Sequence, residues 1–509
     1  MGNYLQWKYK NPSKILLPNC LAQLETQNSK LKTAYFYSTM QNLLTSWLQR
    51  SYAALFFLLP WSVEVFPGNF GIQVPAEPLM LVCSLLLFGY MVGNQANKWA
   101  ILQHFWVILF PQKNTMVRLW CNPLALSFLW LIWMGIAAVF SSMPLVSWKY
   151  WAVETLHWWL FAFGMALVPG LWRKALPWLG LSMALFVGYT LSHHSLYGFR
   201  DDQALLSPMP FFPEHTMYAA VLALLLPWST VMAHRFGANQ AQAPLSGWKN
   251  LIASYGPSSL LVSIYAAGLW FASCRAAWLS LAAASVVLLC LFCFRAWGNF
   301  FETHSPHRTH KLLCRYCSRT LDRRLARMLI MGVSAGLFLG PLLIPPMAAN
   351  FAIQDVSTLE RLNRYACARQ MVRERPLTGF GPGTFQFQYL PFQRPEHTTR
   401  ISITQPILAR NADTFGRGGG AHSEYLQSLA ETGWPGLVLQ WSFLSTILFG
   451  LTERYQKKQK WAVLICLCSL LTFLLHGMVN NFLHDGRVAA LVWGAIGYYS
   501  NLAAHRNTL

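Results

Sequence analysis

The sequence predicts an all-α polytopic membrane protein, and three observations carry that expectation. Of 509 residues, 54% are hydrophobic and 11% charged, whereas soluble domains carry roughly 25% charged residues. Apolar windows near the ~20 residues that span a bilayer recur along most of the chain. The basic residues fall mainly in alternate loops, as cytoplasmic loops require.

The windows lie at 51–66, 78–93, 122–140, 150–168, 175–193, 214–233, 256–273, 276–294, 327–346, 433–451, 461–479 and 487–503, which predicts about 12 transmembrane helices. The segment 99–111 is apolar but carries His104 and ends at Pro111-Gln112-Lys113; it reads as interfacial. The first fifty residues are polar and Lys-bearing, without a short apolar core and cleavage site, so no removable signal peptide is expected. Residues 1–50 then form a cytoplasmic segment, 51–347 nine helices, 348–432 a large external loop with short helices, and 433–509 three helices and a tail.

Starting from a cytoplasmic N-terminus, the inner loops receive Lys98, Lys113, Arg118, Arg173, Lys174, Arg235, Lys249, Arg454, Lys457, Lys458 and Lys460, and the basic loop 295–326 falls inside as well. The formal charge of +21 is thereby explained by topology rather than by nucleic acid. Eleven cysteines without regular spacing, several inside apolar segments, do not form an extracellular disulfide framework.

The external stretch from Ser357 to Gly436 breaks the charge rule, which is weak for long loops. It holds Arg361, Arg364, Arg369, Arg373, Arg375, Arg394, Arg400, Arg410 and Arg417 but no Lys, and the planar guanidinium suits phosphate or carboxylate. Ser357 and Glu360 have capping-box spacing and Pro376 marks an end, predicting a helix over 358–375. Arg361 and Arg364 share one face of it with Tyr365 and Ala368, either as an anion clamp or as surface arginines answering Glu360 and Glu374. Gly379, Gly381 and Gly383 form a tight turn or offer free N–H groups to phosphate. A helix from His422 to about Glu431 puts His422 with Tyr425, Leu426 and Leu429, opposite Glu424, Gln427, Ser428 and Glu431. His422 is then either a satisfied buried histidine or a group placed to meet a lipid-borne substrate. Arg275 falls at an external turn between two apolar windows, where an ionisable group implies function; His215, Asn480, Asn481 and Asp485 occupy the same side.

Together these segments resemble the O-antigen ligase superfamily. His422-Ser423, nine residues, Gly433 and, three on, Gly436 are similar to the ligase signature. Ser273-Cys274-Arg275 resembles the family's Ser-Arg turn with one residue inserted, and Arg361…Tyr365…Gly379-Phe380-Gly381-Pro382-Gly383 resembles its external Arg helix and Gly turn, with Tyr365 where Trp is usual. The resemblance implies a GT-C-like membrane glycosyltransferase of the bacterial inner membrane, acting at the periplasmic side without metal or other cofactor. It implies an undecaprenyl-diphosphate-linked glycan as donor and lipid A-core, another glycan or a protein as acceptor. Carried over by position, Arg275 and Arg361 hold the diphosphate and His422 contacts the acceptor hydroxyl. Geometry adds Arg364 to the diphosphate site, with His215 and Glu424 in support.

A transporter or flippase is the alternative from another class, with Glu154 and His157 as its intramembrane groups. His304, His307, His310, Cys314 and Cys317 in the basic loop have spacing suited to zinc, although anionic-lipid contact serves so basic a loop as well.

Overall fold

The chain is represented by a computed structural model that describes residues 39–65, 72–93, 122–238, 247–303, 324–340, 356–393, 419–458 and 461–504. The interfacial segment 99–111, the His/Cys cluster of the basic loop and Arg394, Arg400, Arg410 and Arg417 lie outside them.

Within those residues the chain is mostly helical. Four helices are long and apolar enough to cross a membrane, Ala76–Gly93, Leu171–Ser195, Arg275–Phe294 and Glu424–Gln456, and shorter apolar helices lie at Pro123–Val139, His215–Ser229, Ser259–Phe271 and Trp461–His476. Leu85, Leu279, Val286 and Leu289 remain exposed on them, as a lipid-facing surface requires.

The helix Gly486–Ala504 matches the last expected window, whereas two other expected spans depart from simple crossings for local reasons. The first helix covers 39–58, beginning well before the apolar window at 51. Pro60 then opens a short 3-10 turn, and the β-branched Val63–Val65 pairs antiparallel with Ile72–Val74. In the window 150–168 the helix Pro144–His157 passes into a π-helical turn, Trp158–Gly164. The Tyr52 hydroxyl donates to the Leu160 carbonyl at 3.0 Å inside that turn.

Four packings position the site. His215–Ala238 lies along Gly247–Phe271 and Trp461–His476, Glu424–Lys458 along Pro123–Val139, and Arg275–Thr303 along Trp461–His476. The helix Val356–Glu374 packs on the start of Glu424–Lys458, so residues distant in sequence meet at one end of the bundle.

Candidate functional site

The expected arginine helix is present as Val356–Glu374. It buries Tyr365, Cys367, Ala368 and Met371 and ends before Pro376, since the residue preceding proline disfavours helical backbone. Arg364, expected to stand beside Arg361 as half of a clamp, is instead buried. Its Nε donates to Glu360 Oε1 at 2.8 Å, its guanidinium lies 3.8 Å from the centre of the Tyr389 ring, and its Nη1 donates to the Gly419 carbonyl at 3.2 Å. One buried side chain thereby links the helix to the backbone that leads to His422.

The glycine turn is held by a residue to which the sequence reading gave no role. Glu431 Oε2 accepts from Gly383 N at 2.9 Å and its Oε1 from Phe385 N at 3.0 Å. Gln427 Nε2 also donates to Oε1, and the Ala430 and Glu431 carbonyls accept from Phe380 N and Gly381 N. These N–H groups are therefore occupied, and the turn's work is structural. Gly379 and Gly433, both at positive φ (65° and 69°), allow the two segments to cross. A Cβ on Gly379 would overlap the Glu431 backbone, and one on Gly433 the Leu377 carbonyl. This crossing gives the nine-residue spacing a reason: two and a half turns separate the His422 segment from the point where the chain must pass Leu377.

His422 does not lie on the helix face expected for it. The helix begins at Glu424; Ser423 accepts from Leu426 N through Oγ at 3.5 Å and from Gln427 N through its carbonyl at 2.9 Å. His422 precedes this cap with φ 51°, in the left-handed region. Its carbonyl accepts from the Tyr365 hydroxyl at 3.1 Å, and the same hydroxyl lies 3.0 Å from the Met478 carbonyl. The side chain is half-buried. Desolvation, then the charges of Arg364 and Arg361, push its pKa down to about 3 against the opposing pull of Glu360, so the ring is neutral at pH 7.

Glu424 ties this segment to the next turn. Its backbone N donates to Gly477 O at 2.8 Å, and its Oε1 accepts from Phe482 N and Leu483 N at 2.7 and 2.8 Å. Asp485 is likewise committed: it pairs with the buried Arg487 at 3.0 Å, and Arg487 Nη1 donates to Phe211 O.

Arg361 sits where the pieces converge. It lies within electrostatic reach of His422, His215, His476 and Cys274. Arg275, adjacent to Cys274, is exposed at the first residue of its helix, and His215 is half-buried at the first residue of its own. The turn before Arg275 carries Ser273 at φ 48°, its Oγ donating to Asp201. Among the described residues only Phe199, Ser273 and His422 combine positive φ with a side chain, and two of the three belong to the segments singled out by motif. Such strain persists where surroundings over-determine it, often at functional sites. Among the described residues no group of three or more His, Cys, Asp or Glu is arranged to hold a metal ion.

Apolar helices, with arginine and histidine side chains gathered at one end of the bundle, define a membrane protein. The family described as O-Antigen ligase matches residues 251–440, from the helix before Arg275 through His422 and past Gly436, and supports placing the chain in the O-antigen ligase superfamily. No curated protein matches the chain.

Proposed function

We propose that the protein transfers a glycan from an undecaprenyl-diphosphate carrier to an acceptor at the periplasmic face of the inner membrane, most simply as an O-antigen ligase with lipid A-core as acceptor. The observation that carries this reading is the convergence of Arg361 with His422 and the Ser273–Arg275 turn, from three parts of the chain. About twelve spans would place all three on the external side.

Arg275 and Arg361 hold the diphosphate and oppose the charge that grows as it leaves; aimed electrostatics of this kind are worth several kcal/mol. Neutral His422 accepts the hydrogen bond of the acceptor hydroxyl. The hydroxyl oxygen attacks the anomeric carbon, its proton passes to His422, and the bond to the diphosphate breaks, releasing undecaprenyl diphosphate; direct displacement inverts the anomeric centre. An anion on Arg361 cancels one of the charges that depress His422, so donor binding itself raises the basicity of the ring. Arg364 and Glu424 act as positioning residues, the first through Gly419 and the second through the turn 477–483, and His215 faces the same charge. The arginines replace a divalent cation, and no cofactor is required.

The test is transfer of a defined undecaprenyl-diphosphate-linked glycan by the purified protein, with and without EDTA, to lipid A-core or to an acceptor peptide. Labelled lipid A-core that requires Arg275, Arg361 and His422 supports the ligase. Labelled peptide indicates a protein O-oligosaccharyltransferase, and longer lipid-linked chains a polymerase. A donor left unconsumed, with Arg275→Ala and His422→Ala behaving as wild type, sinks the enzymatic reading and favours transport of the lipid-linked glycan.

A further inference from the structure

A small cavity about the size of one water molecule is lined by the polar residues Glu424, His476 and Asn480 together with Gly477 and apolar side chains such as Leu224 and Phe473. Two polar atoms of its lining residues, His476 Nε2 and Asn480 Nδ2, are buried without a hydrogen-bond partner among the described residues, and their residues are 3% and 4% exposed. Leaving two such groups unmet would cost about 1–3 kcal/mol each. A buried water is expected where a site is polar, large enough for one molecule and offers two to four partners. Here Asn480 Nδ2 is a donor, the Glu424 carboxylate an acceptor, and His476 Nε2 either, according to its tautomer.

The position of the cavity gives it a consequence. The turn 477–480 receives the Glu424 backbone N–H at Gly477 O and Asn480 O and approaches the Tyr365 hydroxyl at Met478 O. This turn holds Glu424, two residues after His422, and shares the Tyr365 hydroxyl with the His422 carbonyl; the left-handed backbone of His422 must be imposed from outside. We propose that the cavity is a water site held by His476, Asn480 and Glu424 that braces this turn, making His476 and Asn480 positioning residues for the reaction at His422. The first half stands on the cavity alone; the second rests on the glycosyl-transfer reading.

Three measurements separate the halves. A high-resolution experimental map should show a peak between Nε2 of His476 and Nδ2 of Asn480 at hydrogen-bonding distance from both; an ordered map without it overturns the water site whatever the reaction. Amide exchange over 419–430 should rise in His476→Leu and stay near wild type in His476→Gln, which keeps a polar group in the cavity; equal protection in both overturns the bracing. In the transfer assay His476→Leu should lower kcat roughly 10- to 100-fold with KM unchanged, as a misplaced reacting group does, and His476→Gln should recover most of it. A rise in KM alone would instead make His476 a substrate contact and refute the positioning role. Should His476→Leu not fold, Asn480→Ser against Asn480→Val makes the same comparison. A map peak and exchange response in a protein that transfers no glycan uphold the water site and dismiss the transfer reading.

Discussion

Glu360→Ala tests whether Arg364 is a buried strut or a substrate clamp. The pair is separated by 2.8 Å with both side chains nearly inaccessible, so the gross attraction is about 6 kcal/mol at an effective dielectric of ~20. Desolvation of both ions consumes much of that, but removing one partner strands the other, at a cost of about 3–5 kcal/mol. Tyr389 and the Gly419 carbonyl remain to Arg364 after the substitution, which favours the lower end. The assay is denaturant unfolding in mixed micelles for Glu360→Ala, Arg364→Met and the double variant Glu360→Leu/Arg364→Met. Each single change should destabilise, while the double should cost less than their sum, because apolar groups of similar volume replace a buried pair at little net loss. The double variant should nevertheless transfer poorly, since Gly419 and the segment leading to His422 lose their anchor. Additive costs below about 1 kcal/mol would show an unburied, uncoupled pair. Full turnover in Glu360→Ala with none in Arg364→Met would return Arg364 to the diphosphate.

Three further outcomes follow from the same geometry. Gly433→Ala forces a side chain into positive φ with extended ψ against the Leu377 carbonyl; the backbone term alone is about 1–3 kcal/mol, so thermal unfolding should fall well below wild type, and an unchanged midpoint would contradict the crossing. Tyr365→Phe removes the hydroxyl that holds the His422 and Met478 carbonyls, which should cost about 1 kcal/mol in unfolding experiments and lower kcat more than it raises KM; wild-type kinetics would deny the hydroxyl a role. Because the pKa of His422 is depressed to about 3 from an unfolded value near ~6.5, its contribution to stability is complete above the unfolded value and is lost progressively as pH falls toward the folded one. The activity profile of the free enzyme should accordingly show no His422 inflection near pH 6.5, and an acid limb there that disappears in His422→Gln would refute the depressed ring.

Much of the architecture was legible because it rests on local rules. The expected bounds of the arginine helix fall within two residues of Val356–Glu374, although Ser357 lies inside the helix instead of capping it and Glu360 pairs with Arg364; hydropathy located many of the apolar helices. Arg361, Arg275 and His422 could be singled out because charge beside long apolar runs is costly without a purpose. The face assigned to His422 failed because helical periodicity holds only inside a helix, and the chain enters this one at Glu424, after a left-handed residue.

The sequence by itself determined a helical, membrane-type chain, the lengths of many of its segments and the residue types that an anionic substrate would need. Only the tertiary structure decided which of those charges are spent internally. Glu360 takes Arg364, Asp485 takes Arg487, and Glu431 takes the N–H groups of the glycine turn; packing also brings Arg361 within electrostatic reach of His422, His215, His476 and Cys274. The physical reason is range. Propensity, capping and hydropathy act over a few neighbouring residues, but a buried charge is satisfied by whatever packing brings beside it, and those partners lie up to 276 positions away, as Phe211 does from Arg487.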